Sequence, residues 1–271
     1  MRFAICNETF KGWSWDATCR FVAEAGYEGI EIAPFTLADD VRSLNATARQ
    51  RIRTVADSAG LSIVGLHWLL VAPAGLSLTD ADDGVRGQTA RYLVDLVELC
   101  ADLGGGVMVL GSPKQRRIPE GDTREVAQDR FLAGVRPALD AALARGVRLC
   151  LEPLPPPEAD FLLNLREAAE LLDRLNHPAA ATILDVKSAS ADETPIPELI
   201  ARHIGRFAHV HANDANRRGP GFGQTDFDAI MPALRDAGYD GWVSVEVFDY
   251  TPDPRTIATT GLATLKRPLS Q

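Results

Sequence analysis

The sequence predicts a closed (β/α)8 barrel, and three observations carry that prediction. Eight short segments rich in Val, Ile, Leu and Phe recur along the 271 residues, each is followed by a stretch of helical periodicity, and no stretch reads as an interdomain linker. Eight βα units in about 250 residues fit a closed barrel better than an open doubly wound sheet, because closure leaves no strand edge unpaired. The predicted domain is therefore single and runs over residues 1–271.

The strands are expected at Phe3–Cys6, Gly29–Ile32, Leu61–His67, Val107–Leu110, Val147–Glu152, Ala181–Val186, Phe207–His211 and Trp242–Val247. Between them, Leu93, Leu96, Val97 and Cys100 fall on one helical face, and Ala168, Leu171, Leu172 and Leu175 fall on another. Helix starts carry their own signals. Asp122-Thr-Arg-Glu125 and Asn164-Leu-Arg-Glu167 resemble capping boxes, and Pro195 or Pro197 suits a first helical turn. Pro153-Leu-Pro-Pro-Pro157 follows the fifth strand directly and reads as a stiff rim loop.

Composition excludes several classes. Hydrophobic residues at 46% and charged residues at 24% describe a globular chain, neither disordered nor fibrous. A net charge of −9 repels phosphodiester backbones, and the basic run Lys114-Gln-Arg-Arg117 is too short to reverse that, so no nucleic-acid partner is expected. The four cysteines, Cys6, Cys19, Cys100 and Cys150, lack CxxC spacing and lie mostly in apolar segments, which predicts buried thiols and no disulfides. Met1-Arg-Phe-Ala-Ile-Cys6 enters a strand without a signal-peptide pattern, and no apolar run reaches membrane-spanning length. A cytoplasmic protein with no membrane partner is expected.

Late in four successive strand candidates stand Glu152, Asp185, His211 and Glu246. In a (β/α)8 barrel the carboxyl ends of the strands form the reaction face, so equivalent late positions aim at a common centre. Charged groups beside apolar strand interiors are costly without a partner, and a divalent cation is the economical one. Oxygen-rich coordination with one imidazole favours Mn2+, Mg2+ or Co2+, Zn2+ could occupy the same ligands, and donor type alone does not choose among them, although Mn2+ is the first expectation. His209 shares a strand face with His211 and reads either as a supporting group or as a hydrogen-bonded interior histidine. Asp214 reads either as a group orienting an imidazole or as a turn residue of Asn213-Asp-Ala-Asn216. Glu8, His67 and Trp68, just past the first and third strands, are candidate substrate contacts: hydrogen-bonding groups and an aromatic wall. The glycines of Gly219-Pro-Gly-Phe-Gly223 would let backbone approach a ligand.

The fifth-strand Leu-Glu-Pro, sixth-strand Leu-Asp-Val, seventh-strand His-Val-His-Ala-Asn-Asp and final Val-Ser-Val-Glu resemble the xylose isomerase-like TIM-barrel superfamily of sugar isomerases and epimerases. The likeness covers essentially the whole chain and is nearest to the single-metal branch of ketose 3-epimerases, inosose isomerases and hydroxypyruvate isomerases. It implies that Glu152, Asp185, His211 and Glu246 bind one divalent metal and that Glu152 and Glu246 act as an acid–base pair across a carbohydrate or keto-polyol substrate. It also implies substrate contacts from Glu158 and Arg217, and assembly as a homodimer or homotetramer. One position departs from the pattern. Where many ketose epimerases carry a histidine three residues after the sixth-strand aspartate, this chain reads Asp185-Val-Lys-Ser188, which puts substrate identity in doubt and makes Lys187 a further candidate substrate contact.

The implied activity is metal-dependent sugar isomerisation or epimerisation through an enediolate. The alternative ends in elimination, as in the dehydroshikimate dehydratases of the same superfamily. An endonuclease IV-like repair activity fits poorly, because that enzyme holds three zinc ions with many more histidines than the five present here.

Overall fold

The computed structural model describes residues 1–270. Eight parallel strands, β1 (Arg2–Cys6), β2 (Gly29–Ile32), β3 (Ser62–Leu66), β4 (Val107–Leu110), β5 (Arg148–Leu151), β6 (Ala180–Asp185), β7 (Phe207–Ala212) and β8 (Trp242–Val245), pair in sequence order, and β8 returns to β1. Around them run α1 (Trp15–Glu24), α2 (Ala46–Ser58), α3 (Asp83–Leu103), α4 (Arg124–Arg145), α5 (Leu165–Leu175), the short α6 (Val186–Ala189), α7 (Ile196–His203), α8 (Phe227–Asp236) and α9 (Pro254–Lys266). The predicted (β/α)8 barrel is the observed fold.

Two apolar layers build it. Ala4, Val64, Val107, Val109, Cys150, Ala181 and Ile183 form a cluster of their own that closes the lower lumen. The larger layer lies between strands and helices and takes in the predicted faces Leu93, Leu96, Val97 and Cys100 of α3 and Ala168, Leu171, Leu172 and Leu175 of α5. Alternation along a strand then fixes what lies above the lumen. Two residues beyond inward-facing Cys150 and Ile183 come Glu152 and Asp185, so the carboxylates point into the same space one layer higher.

β3, β5, β6 and β8 stop earlier than the sequence suggested, whereas β7 runs one residue further. β5 ends at Leu151 and β8 at Val245, yet the amides of Glu152 and Glu246 still donate to the carbonyls of Leu110 and Ala212, both at 3.2 Å. Pro153 offers no amide to extend β5. Both glutamates thus sit on the last rung of the ladder, held by the sheet while their side chains stand clear of it.

Helix caps follow the expected chemistry with one displacement. Asn164 accepts from the Glu167 amide at 3.0 Å. At α4 the cap is Thr123, one residue later than expected, accepting from the Val126 amide at 3.3 Å, while Asp122 instead pairs with Arg130. Pro195 caps α7 and Pro197 lies in its first turn. All four cysteines are buried and free. Among the described residues no helix is long and apolar enough to cross a membrane.

Gly65 permits β3 and β4 to close. A Cβ there would lie 1.8 Å from the Val107 carbonyl oxygen, whereas a Cβ on the neighbouring Gly106 would meet nothing within 4 Å. Gly65→Ala is expected to destabilise the barrel by about 3 kcal/mol, and Gly106→Ala by less than about 1 kcal/mol. Urea unfolding of the two variants measures the difference directly.

Candidate active site

The upper lumen gathers charge. One ligand atom each from Glu152, Asp185, His211 and Glu246 lies within 4.8 Å of every other, and all four residues are largely buried. Register explains the convergence. Asp185 pairs directly with His211 across β6 and β7, and His211 pairs with Ser244, two residues before Glu246. The four residues named from strand position therefore come together at one point.

His211 is aimed by a residue that strand-end reasoning overlooked. Glu31, fully buried in the middle of β2, lies 2.8 Å from His209 Nε2 and 3.2 Å from His211 Nε2. With Nε2 engaged, His211 turns Nδ1 toward the carboxylates, 3.3 Å from Glu246 Oε2 and 3.7 Å from Glu152 Oε1, and Nδ1 has no hydrogen-bond partner. Asp214 has no part in this. Its Oδ1 accepts from the Thr225 hydroxyl at 3.0 Å and its amide donates to the Arg218 carbonyl, which is the turn role. The signal for Glu31 was present in the sequence as an acid inside Gly29-Ile-Glu-Ile32, an otherwise apolar strand.

Glu246 is the most heavily tied of the four residues. Its Oε1 accepts from Trp68 Nε1 at 3.0 Å and lies 3.3 Å from His67 Nδ1, and its Oε2 accepts from Asn213 Nδ2 at 3.1 Å. Asn213 also donates to Asp185 Oδ2 at 2.7 Å, bridging two of the converging carboxylates, while its own carbonyl accepts the Lys187 amide at 2.8 Å. The other nitrogen of His67 lies 3.0 Å from Glu8 Oε2, so both ring nitrogens are engaged by carboxylates. Glu8, His67 and Glu246 form a relay in which His67 orients Glu246. Trp68 takes a left-handed backbone, φ 53°, to present its indole to that carboxylate.

Glu152 has freer surroundings. Gly111 makes room for it, since a Cβ there would lie 2.0 Å from Glu152 Oε2. The backbone behind it is fixed by Arg116, a buried guanidinium bonded to the carbonyls of Gly111 (2.8 Å), Phe161 and Glu152 (3.2 Å). The run Lys114 to Arg117, read from sequence as a basic patch, thus spends one of its charges inside the molecule. Burial lowers Arg116 to about 10, with Glu152 opposing.

Protonation behaviour follows from this crowding. Burial raises Glu152 to about 7, opposed by the nearby His211 imidazole and reinforced by Asp185 and Glu246. Asp185 is raised by burial and by Glu246. Burial pushes Glu246 up as well, but His211 and His67 outweigh it and hold Glu246 far below the usual carboxylate range. Burial disfavours the His211 cation, yet Glu246 and Glu31 override it and raise the group well above its ordinary value. His67 is raised to about 10 against burial by Glu8 and Glu246. Three carboxylates this close draw protons onto themselves and onto the imidazole unless another positive charge is supplied. A divalent cation would supply that charge, and the donor set of three carboxylates with one unpartnered imidazole nitrogen fits one.

The remaining candidates ring the mouth. Lys187 is buried, with Nζ 2.8 and 3.0 Å from the two oxygens of Glu158 and 4.9 Å from the centre of the Phe248 ring. Arg217 is exposed, with a left-handed backbone at φ 73° and its guanidinium 5.3 Å from the same ring centre. Phe248 was not singled out in the sequence, where it reads as one more apolar residue after β8. Gly223 of the glycine-rich loop packs against Asp214, since a Cβ there would lie 2.1 Å from Oδ1, so this glycine permits a turn contact.

The model of the xylose isomerase-like TIM barrel matches residues 19–267. The chain belongs to that family. A D-psicose 3-epimerase from Ruminiclostridium cellulolyticum is 26% identical over 244 residues, 86% of this chain and 80% of the relative. A 2-oxo-tetronate isomerase from Haemophilus influenzae is 29% identical over 229 residues, 79% of this chain and 81% of the relative. The solved D-psicose 3-epimerase from Clostridium cellulolyticum H10 with D-tagatose superposes with a TM-score of 0.85 at 20% identity, covering 100% of this chain and 99% of that one, and so shares the family fold. The chain is an enzyme of the isomerase and epimerase class to which these relatives belong.

Glu31 offers a test of the four-residue cluster as a cation site without altering any of its members. Glu31→Gln removes the charge that fixes two imidazoles and is expected to weaken Mn2+ binding by about 10- to 100-fold. Calorimetric titration of the folded variant with Mn2+ measures it.

Proposed function

We propose that residues 1–271 form one catalytic domain, a divalent-metal-dependent sugar isomerase or epimerase acting on a ketose or keto-polyol by proton transfer between glutamates. The observation that carries this reading is the convergence of Glu152, Asp185, His211 and Glu246 at one buried point in a barrel of this family. These four would hold the ion, with Mn2+ the favoured occupant. Bound there, it would supply Lewis-acid charge to adjacent carbonyl and hydroxyl oxygens of the substrate.

The protein's part is positional. Glu152 and Glu246 stand on β5 and β8, separated by two strands of the barrel, so a substrate between them presents opposite faces to the two carboxylates. One glutamate removes a proton from the carbon beside the carbonyl, leaving an enediolate, and the other returns a proton from the opposite face to give the epimer. Return of the proton to the neighbouring carbon gives aldose–ketose isomerisation. Glu246 is held for this by Trp68, His67 and Asn213. Glu152 keeps Oε2 in the space that Gly111 leaves open. Acid–base catalysis by positioned side chains contributes about 10²–10⁴-fold, and alignment of the substrate adds to it.

Substrate oxygens would meet Glu158, Lys187 and Arg217 at the mouth, with Phe248 as a wall. With Ser188 at the position where the resemblance puts a histidine, the neighbouring Lys187, paired with Glu158, would offer a fixed donor and a fixed acceptor to vicinal hydroxyls. Trp68, beside Phe248, and Glu8, behind His67, would add further contacts. The small-molecule carbohydrate is the only partner this reading requires.

Incubating metal-loaded protein with a ketose panel in D2O should place deuterium at a carbon beside the carbonyl, with product mass otherwise unchanged. Absence of exchange with every ketose would overturn the reading, and loss of water would move it to the dehydratase class. Glu152→Gln and Glu246→Gln are each expected to lower kcat by at least about 10²-fold. Chelation should abolish exchange and lower Tm, and saturating Mn2+ should restore both; at 100 times its Kd the ion stabilises by about 2.7 kcal/mol. Lys187→Met is expected to raise KM about ten-fold with a smaller change in kcat, as steady-state kinetics would resolve.

A further inference from the structure

Beside the four ligands lies a second space that the proton-transfer reading does not use. A cavity of about 390 Å3 opens between the segment after β1 and the segment after β2, lined among others by Glu8, Lys11, Trp13, Phe35, Thr36 and Tyr250. That volume falls within the range of small-molecule sites. Its walls are aromatic and its edges polar, the combination that suits a pyranose ring, which has apolar C–H faces and a hydroxylated rim.

Two sets of side-chain contacts link the cavity to the candidate active site. Phe248, which carries Lys187 and Arg217 on its face, has its ring centre 6.1 Å from that of Trp68, and Trp68 lies 6.1 Å from Phe35 on the cavity wall. The three rings form a rail from the mouth of the barrel to the cavity, with Trp68 bonded to Glu246 on the way. Glu8 is the second link. Its Oε2 engages His67 of the relay, whereas Oε1 is buried without a hydrogen-bond partner, a cost of the order of a lost hydrogen bond unless a donor reaches it. Lys11 stands exposed at the rim, in no ion pair among the described residues.

Resting on the function proposed above, we infer that the substrate carries a second sugar ring, and that this cavity is its subsite. The keto-sugar unit lies over Glu152, Asp185, His211 and Glu246. The glycosidically linked ring runs along Trp68 and Phe35 into the cavity, where Tyr250 and Trp13 flank it and Glu8 accepts from a ring hydroxyl.

Equilibrium binding tests this with Mn2+-loaded protein, D-fructose and a panel of ketose disaccharides of different linkage: isomaltulose, turanose and lactulose. At least one disaccharide should bind about ten-fold or more tighter than D-fructose, a difference of about 1.4 kcal/mol. Phe35→Ala and, as an exposed-loop variant, Tyr250→Ala should each shrink that preference toward one. Equal affinity for D-fructose and every disaccharide would overturn the subsite, as would a preference that both folded variants leave intact. The two proposals fail separately. Loss of Mn2+ binding or of exchange in D2O removes the proton-transfer function, whereas exchange on D-fructose without any disaccharide preference removes only the subsite.

Discussion

A carboxylate with no exposed surface, Glu31, sets the geometry of everything above the lumen. It is bonded to two imidazoles from β7, and burial alone would neutralise it, yet His209 and His211 hold it ionised far below the usual carboxylate range. A buried anion tolerates no rotation that breaks those bonds, because each would leave a charge uncompensated in a low-dielectric interior. His211 is thereby locked with Nδ1 toward Glu152 and Glu246. The ion pair also ties β2 to β7 through the lumen, between strands that are not neighbours in the sheet.

Around that fixed point the barrel separates two kinds of glutamate. Glu246 sits in a net of donors from Trp68, His67 and Asn213, with Glu8 behind His67. Glu152 has its backbone clamped by Arg116 and its carboxylate beside a glycine. One acid is oriented by many partners and the other by space. The difference suits a pair that exchanges a proton with a substrate lying between them, since the two carboxyls experience different environments although they occupy equivalent strand positions.

The mouth extends the same logic outward. Lys187 and Glu158 neutralise each other at the rim, so they offer hydrogen bonds without a net charge. Phe248, Trp68 and Phe35 form an apolar rail between polar groups. Hydroxylated rings with apolar faces match such a surface, and large flat apolar ligands do not.

Periodicity made the barrel legible, because period-2 and period-3.6 patterns are local and each strand is short and apolar. The four converging residues were legible for a related reason: an ionisable side chain at the end of an apolar run has few places to go in a barrel other than the mouth. Family likeness added Glu158 and Arg217. The contacts that position these residues lay beyond the sequence. Glu31 and His211 stand 180 positions apart, Glu246 and His67 stand 179 apart, and nothing in either neighbourhood encodes the other. Asp214 looked as suitable to hold an imidazole as any acid three residues away, but on the loop after β7 it turns to Thr225, while the imidazole is reached from across the lumen. Arg116 belonged to a short basic run in the sequence, and only the fold buries it. Residue type and spacing determined which chemistry the chain can carry; closure of the barrel, which brings distant strands within hydrogen-bond range in a space that excludes water, decided which side chain orients which.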